Sequence, residues 1–271
     1  MKLAYSTLGC PGWTVEQAAE AARRYGFEGI EWRLADGEVL TPKTPEEVKQ
    51  RVIQATRTQG LKVACLDTSC KFVQPTAEAR AAVVQEARLM VDLAAELEAP
   101  YLRVFGGEVP AGLSRAELIE PTAEALKEAA DYAGTKGVSI LLETHDAWAR
   151  SSDALSLVKA AASPYLSILW DLHHPYRMGE TPRQTFDTLE QGRAFAHVHV
   201  KDARRDPERP DGWQLCLTGE GEVPLKEIFE LLQQNDYKGF LSLEWEKKWH
   251  PEIEEPEEAL PQFVSALQSL T

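Results

Sequence analysis

The 271-residue chain is expected to fold as a single (β/α)8 TIM barrel over residues 1–271. Three observations predict it. Strand-like and helix-like segments alternate eight times along the chain. The strand-like runs are short and rich in Val, Ile, Leu and aromatics, as strands buried on both faces are. Several helical runs stop at a glycine just before the next strand, where glycine serves as a C-terminal cap. The length is normal for one such barrel and long for most other single domains. Alternation does not prove closure, so a doubly wound open sheet is the competing architecture. No G-x-G-x-x-G fingerprint follows the first strand, where Leu8-Gly-Cys-Pro-Gly12 stands instead.

Lys2–Ser6 is the first expected strand, and Thr14 is placed to cap a helix over Val15–Tyr25 that Gly26 ends. Gly29–Arg33 is the second strand. Thr44 then precedes Pro45-Glu-Glu, a cap followed by proline and acidic residues in the first turn of a helix that stops at Gln59-Gly60. Lys62–Leu66 leads into Thr76–Glu98, a long alanine-rich helix without Gly or Pro. Tyr101–Phe105, a helix over Ser114–Lys136 ended by Gly137, and Val138–Glu143 continue the alternation. Helix Ser151–Ala162, strand Leu166–Asp171, helix Pro182–Arg193 and strand Ala196–Lys201 follow. Helix Leu225–Asn235, strand Phe240–Glu244 and helix Pro256–Leu270 complete it. No linker, low-complexity segment or longer repeat interrupts the pattern, so one domain is expected.

With 44% hydrophobic residues the chain can bury a large core. A formal charge of −14 argues against a nucleic-acid partner, which calls for a basic face, but leaves room for a small anion held by one or two local cations. Cys10, Cys65, Cys70 and Cys216 form no C-x-x-C pair, so reduced thiols are expected. The first residues enter a strand-like run with no leader pattern, and no apolar stretch approaches the roughly 20 residues of a membrane helix. The expected location is the cytoplasm, with no membrane partner; a homo-oligomer is compatible with the sequence.

Four residues, Glu143, Asp171, His199 and Glu244, each end a short apolar run. The C-terminal ends of parallel strands are where such a barrel keeps its active site. Three carboxylates and an imidazole suit one divalent ion, Mn²⁺ ahead of Zn²⁺, Mg²⁺ or Co²⁺. Strand parity puts His197, His199 and Lys201 on one face and Ala196, Val198 and Val200 on the other. His197 would then lie one layer deeper than His199. Lys201 would contact the substrate or pair with Asp202 at the rim, and His145 follows Glu143 on a loop that can line the pocket. Gly106-Gly107 allows either a close ligand approach or a tight turn. Gly219-Glu-Gly221 reads as a turn into the Pro224 helix start, since Glu220 and Glu222 would repel a phosphate. The stretch Lys201–Thr218 is long enough for a mobile lid or for disorder.

Leu-Glu143-Thr-His145, Asp171-Leu-His-His174, His197-Val-His-Val-Lys-Asp202, Leu-Ser-Leu-Glu244 and the turn Thr218-Gly-Glu-Gly-Glu222 together resemble the xylose isomerase-like barrel superfamily of sugar isomerases and epimerases. The resemblance covers nearly the whole chain. It implies that Glu143, Asp171, His199 and Glu244 bind one metal ion. It also implies that Glu143 and Glu244 act as the proton-transfer pair on a sugar, sugar phosphate or keto-inositol. His174 and Arg205 match residues that contact substrate oxygens in the ketose epimerases, with Arg204 competing for the second role. Where those epimerases carry a second glutamate six residues after the first, this chain has Ala149, which points away from the free-ketose 3-epimerases.

Three alternatives stand beside this reading. An inosose-type dehydratase would share the enolisation step. An endonuclease IV-like phosphodiesterase would need histidines after strands three and four, where Cys65-Leu-Asp67 and Phe105-Gly-Gly107 stand. A barrel that only binds a polyol would not need two opposed glutamates.

Overall fold

A computed structural model describes residues 1–191 and 194–270. In chain order its elements are β1 (Lys2–Tyr5), α1 (Val15–Tyr25), β2 (Gly29–Trp32), β3 (Leu34–Ala35), β4 (Glu38–Val39) and α2 (Glu46–Thr58). Next come β5 (Lys62–Lys71), α3 (Ala77–Glu96), β6 (Tyr101–Phe105), α4 (Arg115–Thr135), β7 (Ser139–Glu143) and α5 (Ser151–Ala161). They are followed by β8 (Leu166–Asp171), α6 (His173–Arg177), α7 (Pro182–Gln191), β9 (Phe195–Val200), β10 (Asp202–Arg205) and β11 (Trp213–Cys216). Last are α8 (Leu225–Gln234), β12 (Phe240–Leu243) and α9 (Pro256–Leu270).

Eight strands join in one sheet, in the order β1-β12-β9-β8-β7-β6-β5-β2. The two ends of that order are themselves connected, by the Glu28 N–H donating to the Leu3 carbonyl at 2.9 Å and by a parallel bridge between Ser6 and Glu31. An open doubly wound sheet would leave β1 and β2 as separate edges, so the expected (β/α)8 barrel is the fold.

The chain packs as two units. The first comprises Met1–Leu40, Thr44–Ala64 and Val198–Thr271. Here β1 pairs with β12 from Lys2 opposite Phe240 to Tyr5 opposite Leu243, and β12 pairs with β9 through Ser242 and His199. Phe27 packs between Tyr5 and Phe263, with ring centroids 5.1 and 6.0 Å away. The second unit comprises Thr41–Lys43 and Cys65–His197. Parallel registers run through it from Leu66 opposite Leu102 to Glu143 opposite Leu169. Cys65, Leu141 and Leu169 form a fully buried cluster with Tyr101 and Ala196 against it.

Local signals set most boundaries. Thr14 and Gln17 form a complete capping box on α1, and Gly26 ends it in the left-handed conformation. Ser114 and Glu117 do the same at the start of α4. Thr76 caps α3 through the Ala79 N–H at 3.2 Å. At α2 the expectation needs correction: Pro45 itself, which has no side-chain acceptor to offer, is the N-cap residue. Strand β5 runs five residues beyond its expected end at Leu66, to Lys71. The expected end of α7 at Arg193 lies outside the described residues.

The stretch Lys201–Thr218 contains two further strands. β10 and β11 form an antiparallel hairpin from Asp202 opposite Cys216 to Arg205 opposite Trp213, and Arg209 at its tip bonds Glu252 at 2.6 Å. The Asp202 carboxylate anchors its base. It accepts the N–H groups of Ala203, Gly219, Gly221 and Val223 at 2.9, 2.8, 3.0 and 3.3 Å. Burial pushes this carboxyl up, and the four N–H groups pull it back toward its charged form. The N–H groups of the Gly219–Gly221 turn are thus taken by a side chain of the protein itself, in keeping with its reading as a turn and not a phosphate loop.

All four cysteines are buried thiols. Burial pushes the thiols of Cys10 and Cys216 up to about 12, which suppresses the reactive thiolate at neutral pH. Titration with a disulfide reagent at pH 8 should therefore find almost no reactive thiol in the native protein and four after denaturation; rapid native reaction would contradict the packing. Among the described residues no helix is long and apolar enough to cross a membrane.

Candidate active site

The sequence-identified residues fall in both units, and each set is described within its own. In the unit of residues 65–197, Glu143 is the last residue of β7 and Asp171 the last of β8, both fully buried. Asp171 Oδ1 accepts the N–H groups of His173 and His174 at 2.8 and 3.1 Å, which fixes the start of α6. His174 Nε2 lies 3.9 Å from Asp171 Oδ2, and its ring meets His145 edge-on with centroids 4.3 Å apart. Ligand atoms of Glu143, His145 and His174 all lie within 4.8 Å of one another.

His145 is held by Asp146 Oδ1, 2.9 Å from its Nδ1. Burial opposes ionisation of Asp146, but His145 and Lys71 outweigh it and keep this carboxyl below its usual range. Arg103, in the middle of β6, lies with its Nε 3.2 Å from Glu143 Oε2 and 3.5 Å from Asp67 Oδ1. Its Nη1 donates to the Thr68 carbonyl at 3.0 Å, and its guanidinium sits 4.0 Å from the Phe105 ring centre. Gly106 follows β6 because Trp148 claims the space: a Cβ there would come within 2.3 Å of the indole Cδ1. The close approach to this glycine is made by a side chain of the protein.

In the other unit, His199 lies in β9, Lys201 just after it and Glu244 just after β12. All three are buried. Lys201 does not pair with Asp202, which is committed to the turn. Its Nζ lies 2.5 Å from Glu244 Oε2 and also contacts Glu246 Oε1. Burial pushes the Glu246 carboxyl up, yet the Lys201 ammonium and His250 outweigh it and hold it well below its usual range. His250 is raised in turn by Glu246, 3.4 Å from its Nε2. Arg205 is on the exposed end of β10, stacked over Trp213 at 5.5 Å and 3.8 Å from Glu222. His197 is fully buried, with Tyr101 of its own unit 6.3 Å from its ring.

Among the charged residues that were not singled out from the sequence are the buried Glu31, Asp67 and Arg103 and the partly buried Glu246. Each left a readable signal. Glu31 and Asp67 are carboxylates within apolar strands, Arg103 is a cation in the run Tyr-Leu-Arg-Val-Phe, and Glu246 follows Glu244 at the two-residue strand spacing.

The model of one protein family, the xylose isomerase-like TIM barrel, matches residues 19–269. The chain belongs to that family. Among curated relatives, fructoselysine 3-epimerase of Shigella flexneri is 25% identical over 162 residues, 58% of this chain and 56% of that protein. The chain thus spans just over half the length of that relative. The 2-oxo-tetronate isomerase of Pectobacterium atrosepticum is 25% identical over 83% of this chain and 84% of its own. Among solved structures, the IOLI protein with a zinc atom superposes with a TM-score of 0.79 at 18% identity, covering 100% of this chain and 98% of that one. At that identity the likeness speaks for the fold alone.

Proposed function

We propose that the protein is a divalent-metal-dependent isomerase or epimerase of a sugar, sugar phosphate or keto-inositol. The observation that carries this reading is the pair of buried glutamates at barrel-strand ends, each held in its own unit by a cation: Glu143 by Arg103 and Glu244 by Lys201. A fixed carboxylate at a strand end is what proton transfer beside a carbonyl needs. The sugar-acting relatives support the same substrate class.

The proposed ligands of one ion are Glu143, Asp171, His199 and Glu244, from the neighbouring strands β7, β8, β9 and β12. Three carboxylates and one imidazole fit a hard or borderline divalent ion, with Mn²⁺ the first choice and Zn²⁺, Mg²⁺ or Co²⁺ the alternatives. Such an ion, when bound, stabilises the negative charge that develops on oxygen as the carbon acid loses its proton. One glutamate removes the proton next to the carbonyl, and the other returns a proton to the opposite face or to the adjacent carbon. His145 and His174 are the proposed contacts to substrate hydroxyls. Lys201 holds Glu244 in place and brings positive charge to its side of the pocket, and Arg205 is the proposed contact from the hairpin.

Incubation of the metal-stripped protein in D₂O, with and without Mn²⁺, against ketoses, ketose phosphates and inososes tests the reading. Metal-dependent incorporation of carbon-bound deuterium into one class is expected, and the labelled carbon separates isomerisation from epimerisation. Loss of water from the labelled product would mark the dehydratase alternative. No incorporation into any of them, with the ion demonstrably bound, would count against enolisation.

A further inference from the structure

Lys71 is the last residue of β5, at the end of the barrel where Glu143 and Asp171 close their own strands. It pairs in register with Phe105, the last residue of β6, and a Cβ on Gly107 would stand 3.2 Å from the lysine Cβ. The stem therefore leans on that glycine, while the Gln74 side-chain amide donates to the Lys71 carbonyl at 2.9 Å. The side chain is half exposed, and its ammonium lies 3.4 Å from Asp146 Oδ2. The other oxygen of Asp146 holds His145, whose ring packs against Phe105 with centroids 4.7 Å apart. Lys71, Phe105, Asp146 and His145 thus form one wall of the mouth, all within the unit of residues 65–197.

Arg103 and Arg115 of the same unit are committed to the protein. Arg103 faces Glu143, Asp67 and the Thr68 carbonyl, and Arg115 is tied to the Ala147 carbonyl at 2.9 Å and to Asp153 at 3.6 Å. Among the described residues Asp146 is the only carboxylate within ion-pair reach of Lys71. An ammonium has three donors and one carboxylate oxygen engages one of them, so the others face water at the rim. A half-exposed pair of this kind does little for stability.

We infer that Lys71 is a specificity-determining residue: its ammonium takes an acidic substituent of the substrate, a phosphate or a carboxylate. The inference rests on the enolising reading above and narrows it from sugars at large to acidic ones. A net charge of −14 repels an anion at long range, so an acidic substrate requires a local cation where it docks. An ammonium serves either acid as a point charge with rotatable donors, without the planar fork of a guanidinium.

Inorganic phosphate and malonate, titrated into the full chain, test this through the NMR shifts of the Lys71, Gly107 and Asp146 amides. Saturable shifts are expected there, with binding roughly tenfold or more weaker in Lys71→Ala, the loss of one charge-assisted hydrogen bond. Lys71→Arg keeps the charge and should keep the binding, which separates charge from packing. The tighter anion names the acid: phosphate points to a sugar phosphate, malonate to a sugar acid. Metal-dependent deuterium exchange supplies the second readout. The ratio of kcat/KM for an acidic over an uncharged substrate should fall by the same factor in Lys71→Ala, and the ratio cancels any disturbance of His145 passed on through Asp146. Saturation by neither anion, or an affinity and a ratio unchanged in Lys71→Ala, would overturn the role of Lys71 and leave enolisation standing. Exchange with no substrate at all would remove the enolising reading, and the anion titration alone would then decide whether Lys71 binds acids.

Discussion

Glu143→Gln and Glu244→Gln should each abolish measurable turnover while leaving the fold standing. Glutamine keeps the shape of the side chain and removes the proton acceptor, so the loss reports chemistry. General acid–base catalysis alone is worth ~10²–10⁴-fold, and each of these residues is also a proposed ligand, so the combined loss should exceed that range. The surroundings explain why folding survives. In Glu143→Gln the Arg103 guanidinium keeps Asp67 and the Thr68 carbonyl. In Glu244→Gln the Lys201 ammonium keeps Glu246. Neither change leaves a buried cation without a carboxylate, the situation that makes broken buried pairs so costly. Thermal midpoints within a few degrees of the parent, with no turnover, are the expected result. Near-normal turnover in either variant would rule out a two-glutamate mechanism.

The second large effect is on stability. Asp202→Ala should lower it by about 3 kcal/mol, because four backbone N–H groups lose their acceptor at once, those of Ala203 and Val223 in buried positions where a stranded donor costs ~1–3 kcal/mol. For a chain of this size that corresponds to a fall in Tm of roughly 6–12 °C. Gly221→Ala attacks the same turn from the other side. A Cβ there would stand 2.1 Å from Asp202 Oδ1 and 2.6 Å from the Ala203 carbonyl, and the backbone atom has no rotamer to escape into. Because both changes dismantle one network, the double variant should lose clearly less than the sum of the two. Additive losses would mean that the turn and the carboxylate act independently. Asp202 directly follows Lys201, so both variants should also reduce activity by loosening the ammonium that holds Glu244.

The parts of the fold readable from sequence are those with a local cause. Thr14, Gln17 and Gly26 bound α1 within one turn at each end, and the expected and observed helix coincide. The short apolar strands were readable because burial on both faces leaves few residue types to choose from. The β10–β11 hairpin was not, since Asp-Ala-Arg-Arg carries no strand signal and its order comes from distant partners such as Glu252 and the Gly219–Val223 turn. At the site, looking for a polar residue that ends an apolar run identified Glu143 and Asp171, both buried where expected. It passed over Glu31 because Trp32 and Arg33 follow it without a break, and over Arg103 because a cation inside a strand resembles an exposed face. What made both visible was long-range pairing, His199 for Glu31 and Asp67 with Glu143 for Arg103.

The pairing of β1 with β12 sets a timetable for biosynthesis. Lys2 is made before its partner Phe240, which lies 238 positions later in the chain. At ~5–20 residues per second the first strand waits on the order of 10–50 seconds for that neighbour. Throughout that interval one rim of β1 offers unsatisfied main-chain groups, a template for pairing with other nascent chains. The contiguous segment Cys65–His197 meets no such delay, since each of its strands pairs with the next one made. The burden of chaperoning therefore falls on β1, which must wait for the most distant of its partners.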